Sequence, residues 1–250
     1  MIRTVVCDDE APALELIETM LRETGLVTVE GAYRSVHEAI ARINAGGIDL
    51  AVLDVEMPEL SGVHASAHIT ADPKPLLVFA TAHPEYAVEA FGIDAIDYIL
   101  KPFDGQRVLK AVEKAVRMRR LISETEGEVS RAAEAPAPPE TPGMLRIGDA
   151  GRYYFIPASD VIWIEAAGDY SLLHTASREA AIRRAIKNLE SELPADKFVR
   201  VHRSVIVAVA HIREIRMLQK GEAQITLTND VSVRTSRTYR DAVQALIAGL

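Results

Sequence analysis

The hydrophobic and polar positions of this chain follow two different rhythms. In the first 120 residues, compact apolar runs at residues 2–7, 27–33, 50–53, 76–80 and 96–100 are separated by stretches with helical spacing, as in Leu14, Ile17, Met20 and Leu21. Short, continuously apolar runs suit strands buried on both faces, whereas a 3.6-residue spacing marks the apolar stripe of a helix. Five strands alternating with five helices predict an α/β fold with a parallel sheet. The second half reads differently. "RYYFIP", "DVIWIEA", "DYSLLHT", "FVRVH", "SVIVAV", "IREIRML", "AQITLT" and "VSV" are short β-rich runs punctuated by turn residues. They predict a mostly antiparallel all-β domain, with one amphipathic helix across Ile182, Ile186, Leu189 and Leu193 and a short helix after Ser236.

Between the halves, Ala132 to Gly143 contains four Pro and four Ala. Such a composition buries no core and favours extended conformations, so residues 122–143 are expected to form a flexible Pro/Ala-rich linker between domains at 1–121 and 144–250. Charge divides along the same line: the net is −7 over residues 1–120, −4 over 121–143 and +3 over 144–250, within a total of −8. An acidic module is joined to a mildly basic one, a balance that suggests a polyanion partner for the second without requiring it. No run of eighteen apolar residues predicts a membrane span. With Cys7 alone, no internal disulfide forms, and a reducing cytoplasm is the expected location. Cys7 itself is expected to be a small buried strand residue.

In a parallel sheet of this kind, ligands bind outside the carboxyl ends of the strands. The first strand ends in Asp8 and Asp9, the third in Asp54, the fourth in Thr81 and the fifth in Lys101. Three converging carboxylates repel one another and resist ionisation unless a cation sits among them. Hard oxygen donors suit Mg2+, which takes few carboxylates together with water and phosphate oxygens. The carboxylate that also faces a hydroxyl and an ammonium is then placed to attack a phosphoryl group, with Thr81 and Lys101 sharing the charge on the transferred oxygens. His64 and His68 stand at i and i+4 but lack the glutamate of a metalloprotease, and are expected on an exposed helix face.

The motifs "CDDE", "LDVEMPELSG", "FATAHPEYAVEAF" and "DYILKPFD", in that order, make residues 1–121 resemble the receiver domain of two-component response regulators. The resemblance implies a (βα)5 flavodoxin-like fold in which Asp54 is the phosphoacceptor. Asp9, Asp54 and the backbone carbonyl of Glu56 would bind Mg2+, and Asp8 would hold a metal-bound water. Thr81 and Tyr98 would form a switch pair, and the Lys101–Pro102 bond would be cis. A sensor histidine kinase would be the phosphoryl donor, and phosphorylation would favour a homodimer through a receiver face carrying Asp94, Asp97, Lys110, Lys114 and Arg117.

The second half shows no Ser-His-Asp or Cys-His constellation, no glycine-rich phosphate loop and no zinc spacing, so no enzyme is expected there. Its polar residues cluster instead, as Arg200, His202 and Arg203 in "FVRVHRS" and as Arg234, Arg237 and Arg240 in "VRTSRTYR". By charge alone these are either a solvated basic face or a polyanion-binding one. "IEAAGDYSLLHT", "FVRVHRSVIV" and "VRTSRTY" resemble the LytTR DNA-binding domain. That resemblance implies loops entering successive major grooves at direct repeats in DNA, with base contacts at Ser171, Arg203 and Arg237, beside Arg200, His202 and Arg234. Ala208 stands where the family commonly has Asn. A DNA-binding, phosphorylation-controlled transcriptional response regulator is the expected function; a regulator whose second domain docks a protein partner is the alternative.

Overall fold

The computed structural model describes residues 1–58, 60–82, 95–132, 144–147, 154–218 and 221–249. It divides into two compact units, Met1–Arg120 and Leu121–Leu250.

In the first unit, β1 (Ile2–Cys7), β2 (Val27–Tyr33), β3 (Leu50–Asp54), β4 (Leu76–Thr81) and β5 (Asp97–Leu100) form a parallel sheet in the order β2-β1-β3-β4-β5. Each strand coincides with a predicted apolar run to within a residue or so at either end. The strands are linked by α1 (Ala11–Glu23), α2 (Val36–Asn44) and α3 (Gly62–Ser66), and followed by α4 (Gly105–Ala132). The fourth predicted helix lies outside the described residues. All five residues of the central β3 are buried, as expected for a strand covered on both faces. Val5, Cys7, Leu53 and Phe79 pack with Ile40 and Ile43 of α2 and Ala65 of α3, and alternation sends Val6 and Val52 to the opposite face. The order reverses between β1 and β3, which puts the carboxyl ends of β1, β3, β4 and β5 around one switch point. The Lys101–Pro102 bond is cis, and so is Asp72–Pro73, which no sequence feature announced.

The linker expectation needs correction at its start. Helix α4 continues to Ala132, so residues 122–132 are helical, and only the Pro-bearing segment from residue 133 onward, outside the described residues, is left to that role. The physical reason is tertiary. Ile122 and Thr125 are buried, and the Ala181 amide donates to Thr125 Oγ1 at 3.1 Å within the second unit.

The second unit is built mainly of antiparallel strands. Strands β8 (Val161–Ala167), β9 (Tyr170–Thr175), β10 (Glu179–Ile182), β11 (Phe198–His202) and β12 (Val205–Ala208) form a sheet in the order β10-β9-β8-β12-β11. One face packs Ile164, Leu173 and Ile206 against Leu145 of β6 (Met144–Ile147), Ile156 of β7 (Tyr154–Pro157) and Ile186 and Leu189 of α5 (Ile186–Glu192). The other packs Val201 and Val207 against a three-stranded sheet of β13 (Ile212–Met217), β14 (Ala223–Leu227) and β15 (Ser232–Arg234), and against Val243 of the closing helix α6 (Arg240–Gly249). Ile182, expected in the amphipathic helix, instead ends β10; the helix begins at Ile186.

Candidate functional site

The carboxyl ends of the parallel strands bring the predicted residues together. One carboxylate oxygen each of Asp8, Asp9 and Asp54 lies within 4.8 Å of the others. Asp8 and Asp54 are 1% and 3% exposed, and Thr81 is fully buried. Turn geometry aims two of these carboxylates: the Glu10 amide donates to Asp8 Oδ1 at 3.1 Å, and the Glu56 amide to Asp54 Oδ1 at 3.2 Å. Gly62 lies against the same backbone, where a Cβ would stand 2.0 Å from the Asp54 carbonyl oxygen. Only glycine lets α3 start this close to the end of β3.

Lys101 reaches across from β5. Its Nζ lies 2.9 Å from Asp54 Oδ2, 2.7 Å from Asp8 Oδ2 and 3.6 Å from Glu10 Oε2. The Asp54 contact is a hydrogen bond, whereas Asp8 Oδ2 has an ion pair but no aligned donor among the described residues. Burial pushes the Asp54 carboxyl above its ordinary range, with the Asp8 charge adding to this and the Lys101 hydrogen bond opposing it. Burial alone would lower the Lys101 pKa, but its contacts with Asp8 and Asp54 outweigh that and hold the ammonium above its ordinary value. The cluster offers hard oxygen donors, one with an unaligned buried oxygen, and fits a small divalent cation. Beside it, Tyr98 stacks on Phe79 with ring centroids 5.8 Å apart. Register and alternation put Tyr98 on the same face as Thr81 of the adjacent strand. Cys7 is buried, its thiol 3.5 Å from Met57 Sδ, and burial followed by the Asp8 charge pushes its pKa up to about 12. That places it as a packing residue.

On the expected dimer face, Asp97 is held within its own chain: Arg107 bonds both of its carboxylate oxygens and, at 2.6 Å, the Tyr98 carbonyl. Asp94 lies outside the described residues. His64 bonds Ser61 Oγ through Nδ1 at 2.8 Å and His68 Nδ1 lies 3.2 Å from the His64 carbonyl, so the two rings hold their own helix turn.

In the second unit, strand register gathers three segments at one end of the five-stranded sheet. The β8–β9 turn at Gly168 and Asp169 lies beside the β11–β12 turn, where the Ala166 amide donates to the Ser204 carbonyl at 2.8 Å. The segment after β15 joins them, the Ser236 amide donating to the Val201 carbonyl at 3.1 Å. Buried Thr235 pins that segment: its hydroxyl accepts from the Ala223 amide and its amide donates to the Ala223 carbonyl, both at 2.8 Å. Arg234 and Arg237, on either side of this pin, have side chains 72% and 66% exposed. Arg203, at the tip of the neighbouring turn, is partly exposed.

Three other expected contacts are corrected or refined. Ser171 is fully buried within β9 rather than in a turn, and its hydroxyl donates to the Arg184 carbonyl at 2.7 Å; the exposed residue of that turn is Asp169. Arg200 braces its own domain: its side chain is 13% exposed, paired with Glu190 at 2.6 Å, placed 5.7 Å over the Tyr239 ring, and bonded to the Arg203 carbonyl. His202 turns its Nδ1 onto Ser204, 2.8 Å from the hydroxyl, and accepts the Ser204 amide at 3.3 Å. Burial, then the Arg203 and Arg200 charges, hold its pKa below the ordinary value.

Comparisons with known proteins agree with this division. Residues 4–113 match the family of response regulator receiver domains, and residues 151–248 match the LytTr DNA-binding domain. The transcriptional regulatory protein BtsR of Escherichia coli strain K12 is 30% identical over 99% of both chains. The sensory transduction protein LytT of Bacillus anthracis is 28% identical, again over 99% of each. No helix among the described residues is long and apolar enough to cross a membrane. From the acidic switch point of its first unit to the arginine-bearing loops of its second, the chain belongs to the two-component response regulators that join a receiver domain to a LytTR DNA-binding domain.

Proposed function

We propose that this chain is a transcriptional regulator switched by phosphorylation of Asp54, and that the observation carrying this is the buried Asp54 carboxylate with the Lys101 ammonium 2.9 Å away and Asp8 and Asp9 beside it. An Asp54 oxygen attacks the phosphorus of a phosphohistidine on a sensor kinase; the phosphorus–nitrogen bond breaks as the phosphorus–oxygen bond forms, and the histidine takes up a proton. Asp8, Asp9, Asp54 and the Glu56 carbonyl are the residues that would hold Mg2+. The ion, when bound, neutralises charge on the transferred group. Lys101 shifts its ammonium from Asp54 to a phosphoryl oxygen, and the Thr81 hydroxyl turns toward another. Tyr98 follows on the same face, which repacks the surface beside β5 and favours a receiver homodimer.

Pairing then presents two second domains to DNA. A domain with a net charge of only +3 gains most from being held beside a second copy, because the second contact becomes intramolecular. Arg203 and Arg237 read bases in successive major grooves at direct repeats, and Arg234 meets the backbone. Asp54→Ala tests the first half: it should abolish labelling by acetyl phosphate with the fold intact, and labelling undiminished in the variant would overturn the assignment. A salt-dependent mobility shift on the protein's own promoter, strengthened by a phosphoryl donor, tests the second. Absence of any shift would return the second domain to a protein-docking role.

A further inference from the structure

The exposed arginines on either side of Thr235 are not open to solvent on every side. Glu222, immediately before β14, lies between them: its Oε2 accepts from Arg234 Nε at 2.9 Å and Nη2 at 2.6 Å, and its Oε1 lies 3.4 Å from Arg237 Nε. Its side chain is 17% exposed against 72% and 66% for the arginines. The Arg234 hydrogen bond, more than any other influence, holds its carboxyl below the ordinary range. The carboxylate is also fixed in place. The Leu218 amide donates to the Glu222 carbonyl at 2.8 Å, the next residue is pinned by Thr235, and Gly221 before it, at φ +81°, has Arg240 against it.

The Nε and Nη2 groups that here converge on one carboxylate oxygen are the same pair with which arginine meets the oxygens of a phosphate. We propose that Glu222 is an internal substitute for DNA phosphate, a positioning residue that holds Arg234 and Arg237 together and must give up at least one of them when the domain closes on DNA. The idea rests on the DNA-binding function proposed above. A target site repays the exchange with base contacts, whereas random DNA offers only phosphate for carboxylate. Parting the pair costs the same free energy in either complex, so Glu222 weakens both and damps the salt dependence of binding.

The test is fluorescence anisotropy with the full chain on a specific duplex and a random duplex of equal length across a salt series. Glu222→Gln should bind random DNA about three- to tenfold more tightly at low salt and steepen its salt slope by about 0.9, the release expected for one more neutralised phosphate. Specific binding should rise by a similar factor, because the cost of parting the pair is common to both complexes. Glu222→Asp, which keeps the charge, should keep the wild-type slope. Random-DNA affinity and slope unchanged or reduced in Glu222→Gln would make Glu222 a structural brace and overturn the proposal. A readout on the unaltered protein guards against misfolding: the Arg234 Nε–H resonance should move when random duplex is added, and a stationary resonance under saturating duplex would also overturn it. A wild-type chain that binds neither duplex overturns the DNA function itself, and this proposal with it.

Discussion

Two of the charge clusters among the described residues solve opposite problems. At the receiver switch point, buried carboxylates surround one ammonium; at the loop end of the second domain, one carboxylate serves two exposed guanidiniums. In the first, burial makes each charge dependent on its partner, so removing one leaves another uncompensated in a poorly solvated place. In the second, water and salt stand ready to replace any partner, so the same pairing is weak and exchangeable. The buried cluster holds its charges at fixed positions, whereas the exposed one leaves its partners exchangeable.

Substitutions that cross this divide should have effects of very different size. The largest is expected for Lys101→Ala, which takes the ammonium from a site where it faces Asp54 and Asp8. Labelling by acetyl phosphate should slow by about a hundredfold, the scale of losing one preorganised charge-stabilising donor. A rate within a few-fold of wild type would show that the ammonium balances ground-state charge only. Next comes Gly62→Ala. Its Cβ would meet the Asp54 carbonyl at 2.0 Å, so urea unfolding should show a loss of about 1–3 kcal/mol, the ordinary scale of overpacking. Labelling should fall as well, and an unchanged unfolding midpoint would mean that the start of α3 shifts freely.

The exposed side is sharpened by comparing two arginines three residues apart. Arg203→Ala should leave thermal melting unchanged and cost about 1–3 kcal/mol on the specific duplex with little change on random DNA. Arg200→Ala should lower melting, since it releases Glu190, Tyr239 and the Arg203 carbonyl together, at about 1–2 kcal/mol of stability. If both variants melt like wild type and lose DNA equally, Arg200 is no brace. The smallest effect belongs to His202. Its folded pKa is below the ordinary 6.5, so the unfolded chain binds more protons near that pH. Its contribution is complete above about 6.5 and fades as pH falls through the lower folded value. A backbone N–H can donate to Nδ1 only while the ring is neutral there, which gives the same direction. His202→Gln should flatten the decline in denaturation midpoint between about pH 7 and 5, and an identical decline in both proteins would remove His202 as its source.

Much of the receiver was legible because its signal is redundant. Strands β3 and β4 are continuous apolar runs that end on Asp54 and Thr81, and the apolar ends of β1 and β5 lead straight into Asp8 and Lys101, so one pattern locates both fold and site. The second domain offers no such agreement. Ile182, Ile186, Leu189 and Leu193 fit a helical period by coincidence across a strand end, and "EAAI" is too alanine-rich to announce β10. The place of Ser171 depends on a two-residue turn whose first member, Gly168, takes φ +66°, and that choice sets which neighbour faces the core. The outward side chain is Asp169, one residue away. Arg200 and Arg203 are the same residue type in one motif; only the Glu190 and Tyr239 that the fold brings to Arg200 separate them.

The hydroxyl of Thr125 on the Ala181 amide has a consequence for how the protein is divided. Strand β10 is the outer strand of its sheet, and an unpaired amide row there is an invitation to any other strand. The tail of α4 answers part of that invitation from within the chain. A fragment cut at Met144, where composition suggests the domain begins, would discard Thr125 and offer Ala181 to its neighbours in solution. One cut at Leu121 would carry its own cover, so the natural seam lies inside a helix rather than in the proline-rich stretch.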